Sequence, residues 1–589
     1  MTSSFAQDTV VAALKKYYGF SSFRPYQQEI IEHILEGKDC LAVLPTGGGK
    51  SLCFQLPGLL LPGTTIVVSP LISLMTDQVA QLQNRGISAI AITSMLTNFE
   101  REIIVQNIRL NRYTFIYVSP EKLATPSFRK CCSCLSISLL VIDEAHCISE
   151  WGHQFRPQYL EIHSFVKSLP RRPILAAFTA SATPDTAKDI CTQLHLGSPR
   201  FFRQSVYRSN LSLHVVPCPS KTIQHIVMRR ILHRYANQPI IIYCATRIQT
   251  EDMAVLLNSA GSNAAAYHAG LESHHRQSIQ MAFIKNSLNI ICATTAFGMG
   301  VDKPNIRAII HLTVPVSLEG YYQEVGRAGR DGKQSFCYLL ALPGDDQLQA
   351  EIIGRSYPPL QSTQEILQFF SRKKTPLETT VSLKELARVL SEVRLESSLW
   401  LTLKRGEERK WWQVDWQQKT LKLENTPGAL DAEWRRVNRQ HLHQLQKLER
   451  MKQFCNSEHC RQHELIAYFE PARIHGQKYF RCRICDRCRN TFDLTPAPSE
   501  LQYFKLLAKD VRQHGGKKPQ PFLLDLCHQI LASYQPQQSS EVEWMSAFGK
   551  GWQKEWGAIV DRLGTNLGQQ NHVDDNSDVC QSKKSPPTL

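Results

Sequence analysis

Apolar strand-like runs alternating with helical stretches over the first 350 residues predict an α/β chain with two doubly wound parallel-sheet lobes, followed by smaller modules. Three observations carry this. Leu44-Pro-Thr-Gly-Gly-Gly-Lys-Ser51 is a glycine-rich loop between an apolar run and a helical stretch. Val141-Ile-Asp-Glu-Ala-His146 is an apolar strand that ends in two carboxylates and a histidine. The runs Pro239–Cys244, Asn289–Ala293 and Ala308–Leu312 then repeat the alternation without a second glycine cradle.

The glycine loop reads as a phosphate cradle. Gly47, Gly48 and Gly49 let the backbone turn tightly, so that N–H groups from Thr46 onward point at phosphate oxygens. Lys50 supplies a point charge to the β and γ phosphates, and Ser51 a hydroxyl to Mg²⁺. Cys40–Leu44 is the buried strand before it, and Ser51–Gln55 opens a helix whose positive end faces the anion. Leu44 departs from the strict pattern, which wants a small residue there. Leu139–Ile142 is a buried parallel strand by composition, so Asp143 falls at its carboxyl end, where open α/β sheets bind ligands. Asp143 would hold Mg²⁺ and Glu144 would orient or deprotonate the attacking water, with His146 grouped beside them. Together the two motifs describe a motor that hydrolyses a nucleoside triphosphate.

In the second lobe, Gln323-Glu-Val-Gly-Arg327-Ala-Gly-Arg330 sets two arginines three apart, on one side of a helical turn. Such a pair reaches across a cleft, and an arginine supplied this way accelerates phosphoryl transfer by about 10³–10⁵.

The 589 residues suggest three to five domains, and 42% apolar residues supply sizeable cores. No run of eighteen apolar residues occurs, which argues against a membrane helix. The start, Met1-Thr-Ser-Ser, lacks the basic-then-apolar order of a secretory signal. Of the 18 cysteines, Cys40, Cys244 and Cys292 sit in apolar strands and read as reduced core thiols of a cytoplasmic protein. Cys131, Cys132 and Cys134 read as free thiols. A net charge of +16 and a pI near 9.1 point to a polyanionic partner, which a motor needs as its track.

The motifs resemble those of superfamily 2 helicases, and specifically the RecQ family of DNA helicases. Tyr18-Gly-Phe-Ser-Ser-Phe-Arg-Pro-Tyr-Gln27 resembles the family's segment before the first strand. The resemblance implies that Phe20 stacks on adenine, Arg24 assists and Gln27 hydrogen-bonds the adenine edge. Ser69–Gln78 resembles motif Ia, which grips the DNA backbone, and Thr179-Ala-Ser-Ala-Thr183 resembles motif III, which links the lobes. Tyr243–Arg247, Ala293–Arg307 and Gln323–Arg330 resemble motifs IV, V and VI. Ile148-Ser-Glu-Trp-Gly-His-Gln-Phe-Arg-Pro-Gln-Tyr159 resembles the aromatic-rich loop that distinguishes RecQ proteins. It implies that Trp151, His153, Phe155 and Arg156 couple DNA to hydrolysis; stacking a base on an aromatic ring contributes roughly 1–3 kcal/mol. Gln154 stands where the family often has an acid.

Cys482-Arg-Ile-Cys485-Asp-Arg-Cys488, with Cys460 upstream, offers four thiols that suit tetrahedral Zn²⁺ or an iron–sulfur cluster. The family's Cys-Arg helix followed by Cys-x₂-Cys-x₂-Cys favours zinc, and favours Cys460 over Cys455. Its role would be structural.

The expected layout is a cradle lobe over 1–200, an arginine lobe over 201–350, a winged-helix-like region over 351–430 and a helical zinc module over 431–492. An HRDC-like helical bundle over 497–565 and a disordered tail over 566–589 follow. The winged-helix outline combines Ser382–Leu390, a second helix over Leu395–Arg405 and a wing over Trp411–Leu423, with Lys404, Arg405, Arg409 and Lys410 toward phosphate. It precedes the zinc module, unlike the commonest RecQ order. The expected function is ATP-dependent 3′–5′ unwinding of DNA in recombination and repair, with ATP, Mg²⁺ and Zn²⁺ as cofactors. The alternative is a DNA translocase or strand-annealing factor with weak unwinding. The partner is single-stranded, tailed or branched DNA, with recombination or single-strand-binding proteins beside it. A monomer in the cytoplasm, nucleoid-associated if bacterial, is expected.

Overall fold

A computed structural model describes residues 7–489 apart from 94–95, 150–155, 219, 298–302, 358–359, 374, 376–378, 390–401, 404–405, 408, 416–417, 426–429 and 475–479. The first lobe is a seven-stranded parallel sheet. Its strands are β1 (Cys40–Val43), β2 (Thr64–Val68), β3 (Ala89–Ile92), β4 (Phe115–Val118), β5 (Ile137–Ile142), β6 (Ile174–Thr179) and β7 (Arg200–Arg203), in the order β3-β4-β2-β5-β6-β1-β7. These strands are apolar on successive residues because both faces are covered. Leu41, Val43, Ile66 and Val68 enter one core, and Cys40, Ala42, Val67 and Phe178 the other. The strand order places the end of β6 between β1, which carries the cradle, and β5, which carries the carboxylates. The sheet runs to Arg203, three residues past the expected boundary at 200, because β7 pairs with β1.

The second lobe has six strands, β8 (Leu211–Pro217), β9 (Ile240–Tyr243), β10 (Ala264–Tyr267), β11 (Ile290–Ala293), β12 (Ala308–His311) and β13 (Ser335–Ala341), ordered β10-β11-β9-β12-β13-β8. The three strands expected from sequence are β9, β11 and β12, and β11-β9-β12-β13 pair in parallel. A 14-residue helix, Lys221–Arg234, follows β8 in the chain.

After the lobes, the helices Leu360–Ser371 and Leu383–Val389 accompany a three-stranded antiparallel sheet, β14 (Thr380–Ser382), β16 (Thr420–Leu423) and β15 (Trp412–Asp415) in that order. Its period-two alternation turns Trp412, Val414, Leu421 and Leu423 into a core with Ile366, Phe370 and Leu386, and leaves Gln413 and Lys422 outside. The 27-residue helix Leu430–Asn456 and the helix Arg461–Phe469 lead into the cysteine cluster. Met451, Phe454, Leu465, Ile466 and Phe469 share one core with the second lobe, so the cysteine module is built onto that lobe. The HRDC-like bundle expected over 497–565, the tail over 566–589 and Lys404 and Arg405 lie outside the described residues.

Candidate functional site

The cradle starts where β1 runs out. Gly47 and Gly49 take φ of 80° and 77°, in the left-handed region that a Cβ disfavours. A Cβ on Gly49 would also stand 2.2 Å from the Gln27 amide nitrogen, so glycine is required there on both counts. The helix Lys50–Leu60 follows at once. Gln27 is buried, donating Nε2 to the carbonyls of Gly48 (3.4 Å) and Gly49 (3.2 Å) and accepting from Arg24 N (2.9 Å). Arg24 donates to the Gly47 carbonyl at 2.5 Å. Two of the three residues that the resemblance assigns to adenine therefore also brace the loop. Phe20 is 55% exposed.

Lys50 Nζ rests 3.4 Å from the Leu44 carbonyl. Burial lowers its pKa, against the pull of Glu144 and Asp143. Burial, and then the charge of Glu144, push the Asp143 carboxyl up to about 7. Two carboxylates crowded at a strand end call for a cation, and the hydroxyl and carboxylate oxygens of Ser51 and Asp143 suit a hard one. Ser51 Oγ accepts from Gln78 Nε2 at 2.8 Å, and its second lone pair remains for such an ion.

Glu144 has φ of 47°, uncommon for a residue with a side chain and a mark of local strain. The twist brings its carboxylate within 3.3 Å of His146 Nδ1. That nitrogen is 2.9 Å from Thr179 Oγ1 at the end of β6. Thr179 Oγ1 donates to the Ser181 carbonyl (3.3 Å), and Ser181 Oγ accepts from Gln323 Nε2 of the second lobe (3.2 Å). Hydrogen bonds thus lead from His146, which stands beside the Glu144 carboxylate, across to the motif VI segment.

The arginines are not on a helical turn, as spacing alone suggests. The helix Leu318–Val325 ends before them, and Gly329 at φ 57° sends the chain through successive turns. The two side chains make different contacts. Arg327 is buried and hydrogen-bonds the Tyr243 phenol at the end of β9. Arg330 lies against the cradle, where a Cβ on Gly47 would be 3.3 Å from its Cγ.

Three residues without an assigned role from sequence join the site. Gln78 holds Ser51 and also joins Gln55 (2.8 Å) and the Tyr117 hydroxyl (3.2 Å). Tyr159 donates its hydroxyl to the Asp143 carbonyl at 3.0 Å. Gln78 and Tyr159 each close a segment with a motif resemblance, which was the available signal. Tyr117 carried none. Trp151, His153 and Phe155 lie outside the described residues. Arg156 donates to the Pro70 carbonyl at 3.0 Å, tying the end of the aromatic-rich segment to motif Ia.

Far from the cradle in sequence, the sulfurs of Cys460, Cys482, Cys485 and Cys488 all lie within 4.8 Å of one another. Four sulfurs about 2.3 Å from one tetrahedral ion would be about 3.8 Å apart. The Cys482–Cys488 and Cys485–Cys460 separations are 3.9 and 4.0 Å. Cys460 Sγ accepts from the Cys482 N–H and Cys482 Sγ from the Cys485 N–H, bonds that favour thiolates. Hydrogen bonds from the neighbouring thiols, Cys482 first, hold Cys460 below the ordinary thiol range, while the same bonds push Cys482 up. Cys455 is outside the set, and burial pushes its thiol up to about 12.

Family models match three stretches of the chain. The DEAD/DEAH box helicase family matches residues 24–190, the helicase conserved C-terminal domain 222–332, and the RecQ zinc-binding family 420–489. A Bacillus subtilis (strain 168) protein named probable ATP-dependent DNA helicase RecS is 48% identical over 342 residues, covering 58% of this chain and 68% of that protein. The ATP-dependent DNA helicase RecQ of the same organism is 40% identical over 348 residues, and the match spans 58% of each chain. An Acanthamoeba polyphaga mimivirus protein, named putative ATP-dependent RNA helicase R290, is 42% identical, covering 62% of this chain and 66% of that one. In fold alone, the chain is similar to the crystal structure of the DUF1998 helicase MrfA bound to DNA and AMPPNP. That likeness has a TM-score of 0.50 at 16% identity, over 72% of this chain and 62% of that one. Because helicase and RecQ zinc-binding families match along one chain, and a DNA helicase 48% identical to it is covered over 68% of its length, this protein belongs to the RecQ family of ATP-dependent DNA helicases.

Proposed function

We propose that this chain hydrolyses ATP at the seam of its two lobes and uses the cycle to move 3′ to 5′ along one DNA strand, unwinding tailed or branched duplexes in recombination and repair. The observation that carries the reading is Arg330 of the second lobe packed on Gly47 of the first lobe's cradle. An arginine there sits beside any triphosphate the cradle holds, so hydrolysis follows lobe closure. Mg²⁺, held by Ser51 and Asp143, would supply charge neutralisation at the β and γ phosphates. Lys50 steadies the transferring group and Arg327 assists. Glu144 takes the proton of the attacking water, oriented by His146 and Thr179.

Three features support DNA as the track. The net charge is +16. Arg156 links the aromatic-rich segment to motif Ia. The β15–β16 hairpin projects Lys422 and Gln413 outward from a sheet with winged-helix composition, near the exposed Arg409 and Lys410. Opening DNA costs about 1.4 kcal/mol per base-pair step, so a wing that splits pairs must be driven by turnover.

The test is ATPase activity with and without single-stranded DNA, alongside unwinding of a 3′-tailed duplex, for the native chain and Lys50→Ala. DNA-stimulated hydrolysis and unwinding, both lost in the variant, are expected. Hydrolysis without strand separation favours the translocase or annealing alternative, and stimulation by RNA but not DNA rejects the assigned track.

A further inference from the structure

We propose that Arg208, in the segment joining the two sheets, is a positioning residue that holds the arginine-bearing turn against the phosphate cradle, and that the zinc module sets where it stands. The proposal rests on the reading of the seam as the site of ATP hydrolysis. Arg208 lies between β7 and β8, and its guanidinium faces both lobes. One nitrogen donates to the Thr46 carbonyl in the cradle (3.4 Å), and the other to the carbonyls of Gly329 (2.9 Å) and Ala328 (3.3 Å). Its Nε donates to Asn210 Oδ1 (3.3 Å), whose own amide returns to the Gly329 carbonyl (2.8 Å). Ala328 and Gly329 are the two residues between Arg327 and Arg330. Pinning their carbonyls therefore fixes the arc from which both arginines project. A planar fork of five donors can do this; a lysine ammonium cannot span both sides with the same geometry. The turn is tightly seated, since a Cβ on Gly329 would be 2.5 Å from Asn210 Nδ2 and one on Gly326 3.3 Å from Thr46 Oγ1.

The backbone of the same segment is held by the zinc module. Gln462 Nε2 donates to the carbonyls of Arg208 (3.1 Å) and Leu211 (3.0 Å), and Glu470 accepts from Val206 N (2.6 Å). Arg203 donates to the Phe469 carbonyl and Ser212 to that of Ile484. Tyr207, the neighbour of Arg208, packs edge-on against Phe480 at 5.1 Å and against the cysteine cluster. Consecutive residues thus touch the zinc site and the nucleotide seam, so the module acts as a jig for the hinge.

The test uses the full chain and separates turnover from nucleotide affinity. Steady-state ATPase with saturating single-stranded DNA gives kcat, and titration with a fluorescent non-hydrolysable ATP analogue gives Kd. A misplacement of about 1 Å costs on the order of 10²-fold in rate, so Arg208→Ala should lower kcat by about 10- to 100-fold. Kd should change less than about threefold, because the first lobe alone cradles the phosphates. Arg208→Lys keeps the charge without the fork and should remain impaired. Gln462→Leu, which touches neither nucleotide nor turn, should show the same split more weakly. Native kcat in Arg208→Ala, full rescue by lysine, or loss of affinity and melting temperature in step with kcat would overturn the assignment. Lys50→Ala run in parallel distinguishes the two levels. If it still turns over, the seam itself is misread. If it is dead while Arg208→Ala is normal, only the role of Arg208 fails.

Discussion

Lys447 and Glu319 form the most deeply buried ion pair among the described residues, 2.8 Å apart with each side chain 4% exposed. The pair joins the long helix Leu430–Asn456 to the start of the helix Leu318–Val325, which leads into the motif VI turn. Taking two charges out of water is expensive, and their attraction repays it only while both are present. Removing one partner from such a pair costs about 3–5 kcal/mol, whereas replacing both with apolar groups of similar volume is often neutral. Lys447→Met should therefore raise the local opening equilibrium of the long helix by about 10²- to 10⁴-fold. Adding Glu319→Leu should recover most of that loss. Hydrogen–deuterium exchange read on peptides spanning residues 440–456 reports local opening without requiring the whole chain to unfold in one step. Faster exchange in the single variant and near-native exchange in the double is the expected pattern. If the single variant exchanges within about fivefold of the native chain, or the double is worse than the single, the pair is not what docks the helix.

Three further outcomes follow from the geometry. Asp345 accepts from Val314 N (3.2 Å) and Leu342 N (3.0 Å), yet burial pushes its carboxyl up to about 6. Its contribution is complete below the unfolded value of about 3.9 and is lost as pH rises through 6, by up to about 3 kcal/mol. Asp345→Asn keeps an acceptor and loses the charge, so its melting temperature should rise relative to the native chain more at pH 8 than at pH 5; an equal change at both refutes this. Gln78→Leu leaves Ser51, Gln55 and Tyr117 without their shared partner, which should cost about 1–3 kcal/mol in thermal or urea unfolding and lower DNA-stimulated turnover. Cys485→Ser should abolish zinc retention at the four-cysteine site, measured with a chromogenic chelator, and should expose the 203–212 segment to exchange. Retained zinc would place the ion elsewhere.

The sequence by itself determined the parts in which chemistry is local. Gly47, Gly49, Lys50 and Ser51 are adjacent because a phosphate cradle is one turn of backbone, and Asp143 and Glu144 are adjacent because one strand end supplies both. Cys482, Cys485 and Cys488 announce a metal by spacing, and alternating apolar runs announce β9, β11 and β12. Tertiary structure alone decided what crosses those units. The spacing of Arg327 and Arg330 suggested a shared helical face, but the helix ends at Val325 and Gly329 turns the chain, so Arg327 bonds Tyr243 of its own lobe and Arg330 packs on Gly47. Gln78 reaching Ser51, the route from His146 through Thr179 and Ser181 to Gln323, and Arg208 linking cradle, turn and zinc module are likewise set by strand order and lobe packing. Hydrogen bonds between residues far apart in the chain leave no periodicity and no fixed spacing, because what brings them together is the burial of two apolar sheets and a long helix.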